Sequence, residues 1–194
     1  MEQELPKKPI STSGNRETNK MHEFWKAYPH ILEDLKRVRS IISLQLKDQG
    51  GGFDQALGDL RESQGKMLRP GFLVLSARTK YRDGEAPSGG GLDKKLYNIA
   101  AAIELLHMAT LVHDDILDDA ETRRGNPSIH VRHGQRRAVL LGDFLFSRCF
   151  SLVADYASVE NARDIARGVA AICRSEMKEK QPENATSIRE YLHR

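Results

Sequence analysis

Cysteine is scarce. Cys149 and Cys173 are the only two in 194 residues, and both fall in apolar helical patterns. Two thiols so placed make no disulfide framework, so both are expected to be buried and the setting reducing and cytoplasmic. An excess of one charge is also missing. Thirty Lys and Arg against 27 Asp and Glu leave a formal net charge of +3, which gives no broad nucleic-acid-binding signature. No apolar run reads as long enough to span a membrane, and no signal peptide is read, so membrane contact is expected to be peripheral at most. The alternation that marks half-buried strands is absent, as are repeats and low-complexity tracts. What remains is 39 % hydrophobic and 29 % charged residues, ordinary globular composition for one domain with a real core. The fold expected is all-α.

The informative stretch is Ala100–Arg124, AAAIELLHMATLVHDDILDDAETRR. Ile103, Leu106, Thr110 and Leu117 have helical spacing, flanked by Leu111. Four aspartates follow within six residues: Asp114, Asp115, Asp118 and Asp119. On a helix Asp114 shares a face with Asp118, and Asp115 with Asp119. Like charges one turn apart repel by about 0.2–0.5 kcal/mol per pair, so a cation is expected against them. Two readings stand on these residues alone. One is a solvated acidic helix end, with Asp119 and Arg123 paired at i,i+4. The other is a hard divalent cation such as Mg2+, which takes one or two carboxylates and completes its shell with water and phosphate oxygens.

In chain order, residues 1–20 are polar and read as a disordered tail, with 21–194 as one helical domain. A helix is expected from about Tyr28 to Lys47, with Ile31, Leu35, Val38, Ile42 and Leu46 as its apolar stripe. Gly50–Gly52 ends it, and a shorter helix carries Phe53, Leu57 and Leu60. Gln64–Pro70 is a basic loop ahead of a helix running to about Arg82, and a helix start beside basic groups makes an anion site plausible. Residues 83–91 read as a loop. The central helix is expected from Asp93 to about Arg124, with Asn126-Pro127 as the turn after it. A further helix runs from about Arg136 to Tyr156, with Val139, Leu140, Phe144, Leu145 and Cys149 inward. Ser158 caps another that runs to about Lys180, and a new helix is expected after the polar break at 181–185.

Together these residues resemble the trans-isoprenyl diphosphate synthase family. Asp114-Asp115-Ile116-Leu117-Asp118 matches the family's first aspartate-rich motif, and Arg123-Arg124-Gly125 matches the arginines that follow it. Gly65-Lys66-Met67-Leu68-Arg69-Pro70 resembles its upstream diphosphate-binding motif, and His107 matches the histidine seven residues before the first aspartate. The resemblance covers about Tyr28 to Arg194 and reaches only the N-terminal part of the family's chain. It implies an isoprenoid-synthase-type helical bundle, incomplete at the C-terminus. It implies that Asp114 and Asp118 hold Mg2+ against an allylic diphosphate that Arg123 also contacts, and that Lys66, Arg69, His107 and Arg124 hold isopentenyl diphosphate. Ala109 and Thr110, one turn before Asp114, are small where short-chain members carry aromatic side chains. The resemblance therefore leans to a medium- or long-chain product, with Leu106 and Ile103 further down the same face able to block the pocket. The family is commonly dimeric, so self-association is expected.

Three departures stand out. Met67 occupies a place where many members carry arginine, and Glu179 ends a segment that usually ends in glutamine. The family's second aspartate-rich motif and its lysine-threonine pair are not found in these residues. Three expectations follow: a partial reading of a full synthase, a subunit completed by a separate chain, or a non-catalytic helical subunit that regulates a partner. A class I terpene cyclase shares the aspartate-rich helix but has no need of Lys66, Arg69 and Arg124.

Overall fold

Apolar side chains at helical spacing set the architecture of the computed structural model, which describes residues 21, 23–47, 52–62, 65–79 and 94–179. They fall in two compact units, Met1–Tyr156 and Ala157–Arg194. The helices are α1 (Pro29–Gln45), α2 (Asp54–Glu62), α3 (Leu68–Thr79), α4 (Lys94–Leu117), α5 (Ile129–His133), α6 (Gln135–Tyr156) and α7 (Val159–Glu179). The fold is all-α, as expected. The tail at 1–20, the loop at 83–91, the Asp93 cap and the segments after 180 lie outside the described residues.

In the first unit α4 is the axis, packed most extensively on α6 and then on α1 and α3. Pro29 sits in the first turn of α1, where its missing N–H costs nothing. The stripe Ile31, Leu35, Val38, Ile42 and Leu46 is buried as expected. Each such side chain contributes about 1.5–3 kcal/mol. Ala100, Ala101, Ala102 and Ala109 on α4 are fully buried, and their small size lets neighbouring helices come close. On α6 the closest approach is at Gly142, where any Cβ would collide with the His113 ring of α4. His113 also ties the pair, with Nε2 3.1 Å from the Val139 carbonyl. α4 is long and apolar enough to cross a membrane by length and composition, which the sequence reading missed, but 56 % of its apolar window is buried inside the fold.

Several expectations are corrected. On α6 the inward face is Ala138, Leu141, Gly142, Leu145 and Cys149, whereas Val139 and Leu140 are 40 % and 47 % exposed. Consecutive apolar residues offer two possible stripes, and the glycine selects the one that approaches α4. On α4 the buried stripe is Tyr97, Ala101, Leu105, Met108 and Val112; Ile103, Leu106 and Thr110 are half-buried and Leu117 is 59 % exposed. α4 ends at Leu117, not near Arg124. Two short strands that the pattern did not announce, Thr122–Arg123 and Asn126–Pro127, form an antiparallel ribbon. The turn is therefore Arg124-Gly125, both at positive φ, the geometry that suits a two-residue hairpin loop.

In the second unit α7 is capped by Ser158, whose Oγ accepts the Asn161 N–H at 3.2 Å. Cys173 is exposed there rather than buried, while Cys149 is buried as expected.

Candidate functional site

The site is organised by how α4 ends. Ala120 N–H donates to the Asp115 carbonyl at 2.9 Å, and Asp119 turns the chain with φ +50°. Ser128, almost fully buried, closes the loop with its hydroxyl donating to the Ala120 carbonyl at 2.5 Å and its N–H to the Glu121 carbonyl at 3.0 Å. The 122–127 ribbon is thereby folded back beside α4. Arg123 Nε reaches the buried Asp115 Oδ1 at 2.6 Å, not Asp119, which is exposed past the helix end. The expected shared face of Asp115 and Asp119 is lost because the helix stops between them.

This return creates a cavity of about 130 Å3 between α4, the ribbon, α2 and α5, lined by Glu104, His107, Asp115, Arg123 and Arg124 among others. One water needs only about 10–15 Å3, so the space suits a polyatomic ligand. Gly65, also in the lining, shows why the 65–70 loop carries no side chain there: a Cβ would stand 2.6 Å from the Arg124 guanidinium. Among the other residues of that loop, Met67 is buried at φ +55° and Lys66 lies over the Phe24 ring at 5.3 Å. Trp25 Nε1 pins the Lys66 carbonyl at 2.7 Å. Lys66 and Arg69 are exposed and outside the lining, yet the Arg69 charge acts on both Glu104 and His107.

Burial pushes the His107 imidazole down to about 4, with Arg69, Arg124 and Arg123 adding to the shift. It is therefore uncharged at neutral pH. Because the folded value lies below the ordinary 6.5, the folded state resists protonation. Its contribution to stability is complete above pH 6.5 and lost progressively as pH falls toward 4. His107→Gln should remove that part of the pH dependence, so the wild type should lose stability relative to the variant between pH 7 and pH 5 in urea unfolding.

Asp114 is half-buried and Asp118 exposed, and neither lines the cavity. They lie seven and eleven residues beyond His107, Asp114 in the last turn of α4 and Asp118 just past its end, where its N–H donates to the Asp114 carbonyl at 2.8 Å. Among the described residues no three His, Cys, Asp or Glu side chains converge to hold a metal by themselves. Two carboxylates one turn apart, beside a basic cavity, fit a hard cation whose shell is completed by phosphate oxygens. Ala109 is fully buried, Thr110 and Leu106 are half-buried, and none of the three lines the cavity. The structure thus brings His107, Arg123 and Arg124 together at one cavity, with the Arg69 charge acting on it, and leaves Asp114 and Asp118 outside its lining.

Sequence reading missed Glu104, the Asp115–Arg123 pair and a cluster in which Asp59 Oδ2 and Oδ1 meet His133 Nε2 at 2.6 Å and Arg132 at 2.8 Å. Glu104 had a signal: it is the only acid between Ala100 and Val112.

Residues 52–194 match the polyprenyl synthetase family. The chain is 32 % identical over 152 residues to heptaprenyl diphosphate synthase component 2 of Geobacillus stearothermophilus, covering 78 % of this chain and 45 % of that one. It is 35 % identical over 158 residues to nonaprenyl diphosphate synthase of Mycobacterium tuberculosis, covering 80 % and 44 %. The crystal structure of heptaprenyl diphosphate synthase from Staphylococcus aureus superposes with a TM-score of 0.72 at 29 % identity, over 84 % of this chain and 49 % of that one. Polyprenyl synthase from Caulobacter crescentus, complexed with calcium and isoprenyl diphosphate, gives 0.64 at 29 % identity, over 82 % and 44 %. The chain spans about half the length of the relatives it matches.

Proposed function

The chain belongs to the polyprenyl synthetase family, and from that premise we propose that it is the diphosphate-gripping part of a prenyltransferase. The reaction proposed condenses isopentenyl diphosphate with an allylic diphosphate to give a medium- or long-chain polyprenyl diphosphate. The observation that carries this reading is the shared cavity of His107, Arg123 and Arg124, with Asp114 in the last turn of α4 and Asp118 just past it.

Roles follow from charge and position. Arg124 and Arg69 offer planar forks suited to the diphosphate of isopentenyl diphosphate, with Lys66 as a point charge and neutral His107 as a hydrogen-bonding partner. Arg123, held in place by Asp115, faces the allylic diphosphate. Asp114 and Asp118 would hold Mg2+, which when bound supplies neutralisation of the departing diphosphate. The allylic C–O bond then breaks with its electron pair leaving on the diphosphate. The alkene of isopentenyl diphosphate attacks the allylic carbon, and loss of one proton restores a double bond. Ala109 and Thr110 are small where short-chain members of the family carry aromatic side chains, which favours a long product. The setting proposed is cytoplasmic.

A second reading is favoured by a specific observation. Relatives of similar sequence are named component 2 of heptaprenyl diphosphate synthase, and this chain spans about half of them. It would then be a helical subunit completed by, or regulating, a partner. One experiment tests both: Mg2+, labelled isopentenyl diphosphate and farnesyl diphosphate are incubated with the chain alone and with a supplied C-terminal half of a family synthase. Little turnover alone and polyprenyl product only in the mixture is expected. Robust synthesis by the chain alone would refute its dependence on a partner, and no product in either arm would refute the catalytic reading.

A further inference from the structure

Glu104 places one carboxyl oxygen, Oε2, buried and without a hydrogen bond, at the cavity. Its residue is 8 % exposed. A buried polar atom left unsatisfied is costly, so a group that completes it is to be expected. Taking the diphosphate reading above as its ground, we propose that Glu104 contacts the bound anion as a neutral carboxylic acid. Its O–H donates to a phosphate oxygen, and filling the cavity takes up a proton from solution.

The electrostatics of the surroundings support this. Burial pushes the Glu104 carboxyl upward, while Arg69 and Arg124 pull it back down. His107, one turn along α4, is uncharged at neutral pH and supplies no countercharge. The remaining cations of the lining are engaged by other acids, Arg123 by Asp115 and Arg132 by Asp59. Arg69 and Arg124 hold Glu104 toward its ionised form. An oxyanion that settles against those two guanidinium groups cancels their pull and leaves the burial effect unopposed. A carboxylate would repel the incoming anion, whereas a carboxyl attracts it. Anion and proton then bind with positive coupling, each strengthening the other.

The test uses the 194-residue chain without divalent metal, so that Asp114 and Asp118 add no metal-linked protons. Two probes are titrated: sulfate, which exchanges no proton of its own near neutral pH, and inorganic pyrophosphate. Calorimetry in two buffers of unlike ionisation enthalpy counts protons on the wild type, and this needs no variant. Uptake is expected with sulfate. Glu104→Gln, which presents a permanent N–H donor, should abolish the uptake. The affinity of the wild type relative to this variant should fall about tenfold as pH rises through the carboxyl's titration. Binding without proton uptake, or an equal pH slope in both proteins, would overturn the role of Glu104 and leave the anion site standing. Failure of both proteins to bind either probe would overturn the site reading and this proposal with it.

Discussion

Converting Asp114 and Asp118 to asparagine should slow polyprenyl synthesis by about a hundredfold or more, measured with the chain reconstituted with a C-terminal half. The estimate follows from charge: a metal at a departing phosphate supplies several kcal/mol to the transition state, and each 1.36 kcal/mol is about a tenfold rate change. Asparagine keeps the shape of aspartate but loses the anionic oxygen that a hard cation requires. Asp114 is half-buried in the last turn of α4 and Asp118 is exposed just past it, so helical content and thermal midpoint should stay close to the wild type. The effect should also weaken as Mg2+ is raised, because the loss is one of metal affinity. An unchanged rate in the double variant would favour a regulatory subunit over a catalytic one.

Replacing Asp34 with alanine should lower the unfolding free energy by about 3–5 kcal/mol. Asp34 is 2 % exposed on α1 and binds two other helices at once. Its Oδ2 accepts from Arg78 Nε of α3 at 2.6 Å, and its Oδ1 accepts from the Tyr97 hydroxyl of α4 at 2.6 Å. Arg37 adds a bond to that hydroxyl at 3.2 Å. The pairing holds the Arg78 guanidinium above its ordinary value, chiefly through the hydrogen bond to Asp34. Removing the carboxylate strands a cation and a phenol in the junction of three helices. Urea unfolding reads the change directly, and the thermal midpoint should drop by roughly 6–20 °C. Replacing Asp34 and Arg78 together with leucine and methionine should recover most of the loss, since a buried pair is costly chiefly when broken. A single-variant loss below about 1 kcal/mol would show that the network carries little stability.

Much of this molecule is local and therefore readable in one dimension. The stripe of α1, the core positions Leu145 and Cys149 of α6 and the Ser158 cap follow from helical periodicity and cap chemistry, which involve residues within a turn or two. His107, Arg123 and Arg124 were legible as a set only through the family resemblance, and the fold does gather them at one cavity. The choice between two apolar stripes was not legible on α6. Val139 and Leu140 are as oily as Leu141, and only the contact of Gly142 with His113 decides which side turns inward.

The sequence by itself determined that the chain is helical, that an acidic pair lies at one end of an apolar rod, and that basic residues flank it before and after. The tertiary structure alone decided where α4 stops, that Arg123 answers Asp115 rather than Asp119, and that Glu104 faces a cavity. Those outcomes depend on a ribbon folding back eight residues later and on charges from α3 reaching α4. Periodicity reports which residues share a helical face; it carries no information about which distant segment returns to meet that face.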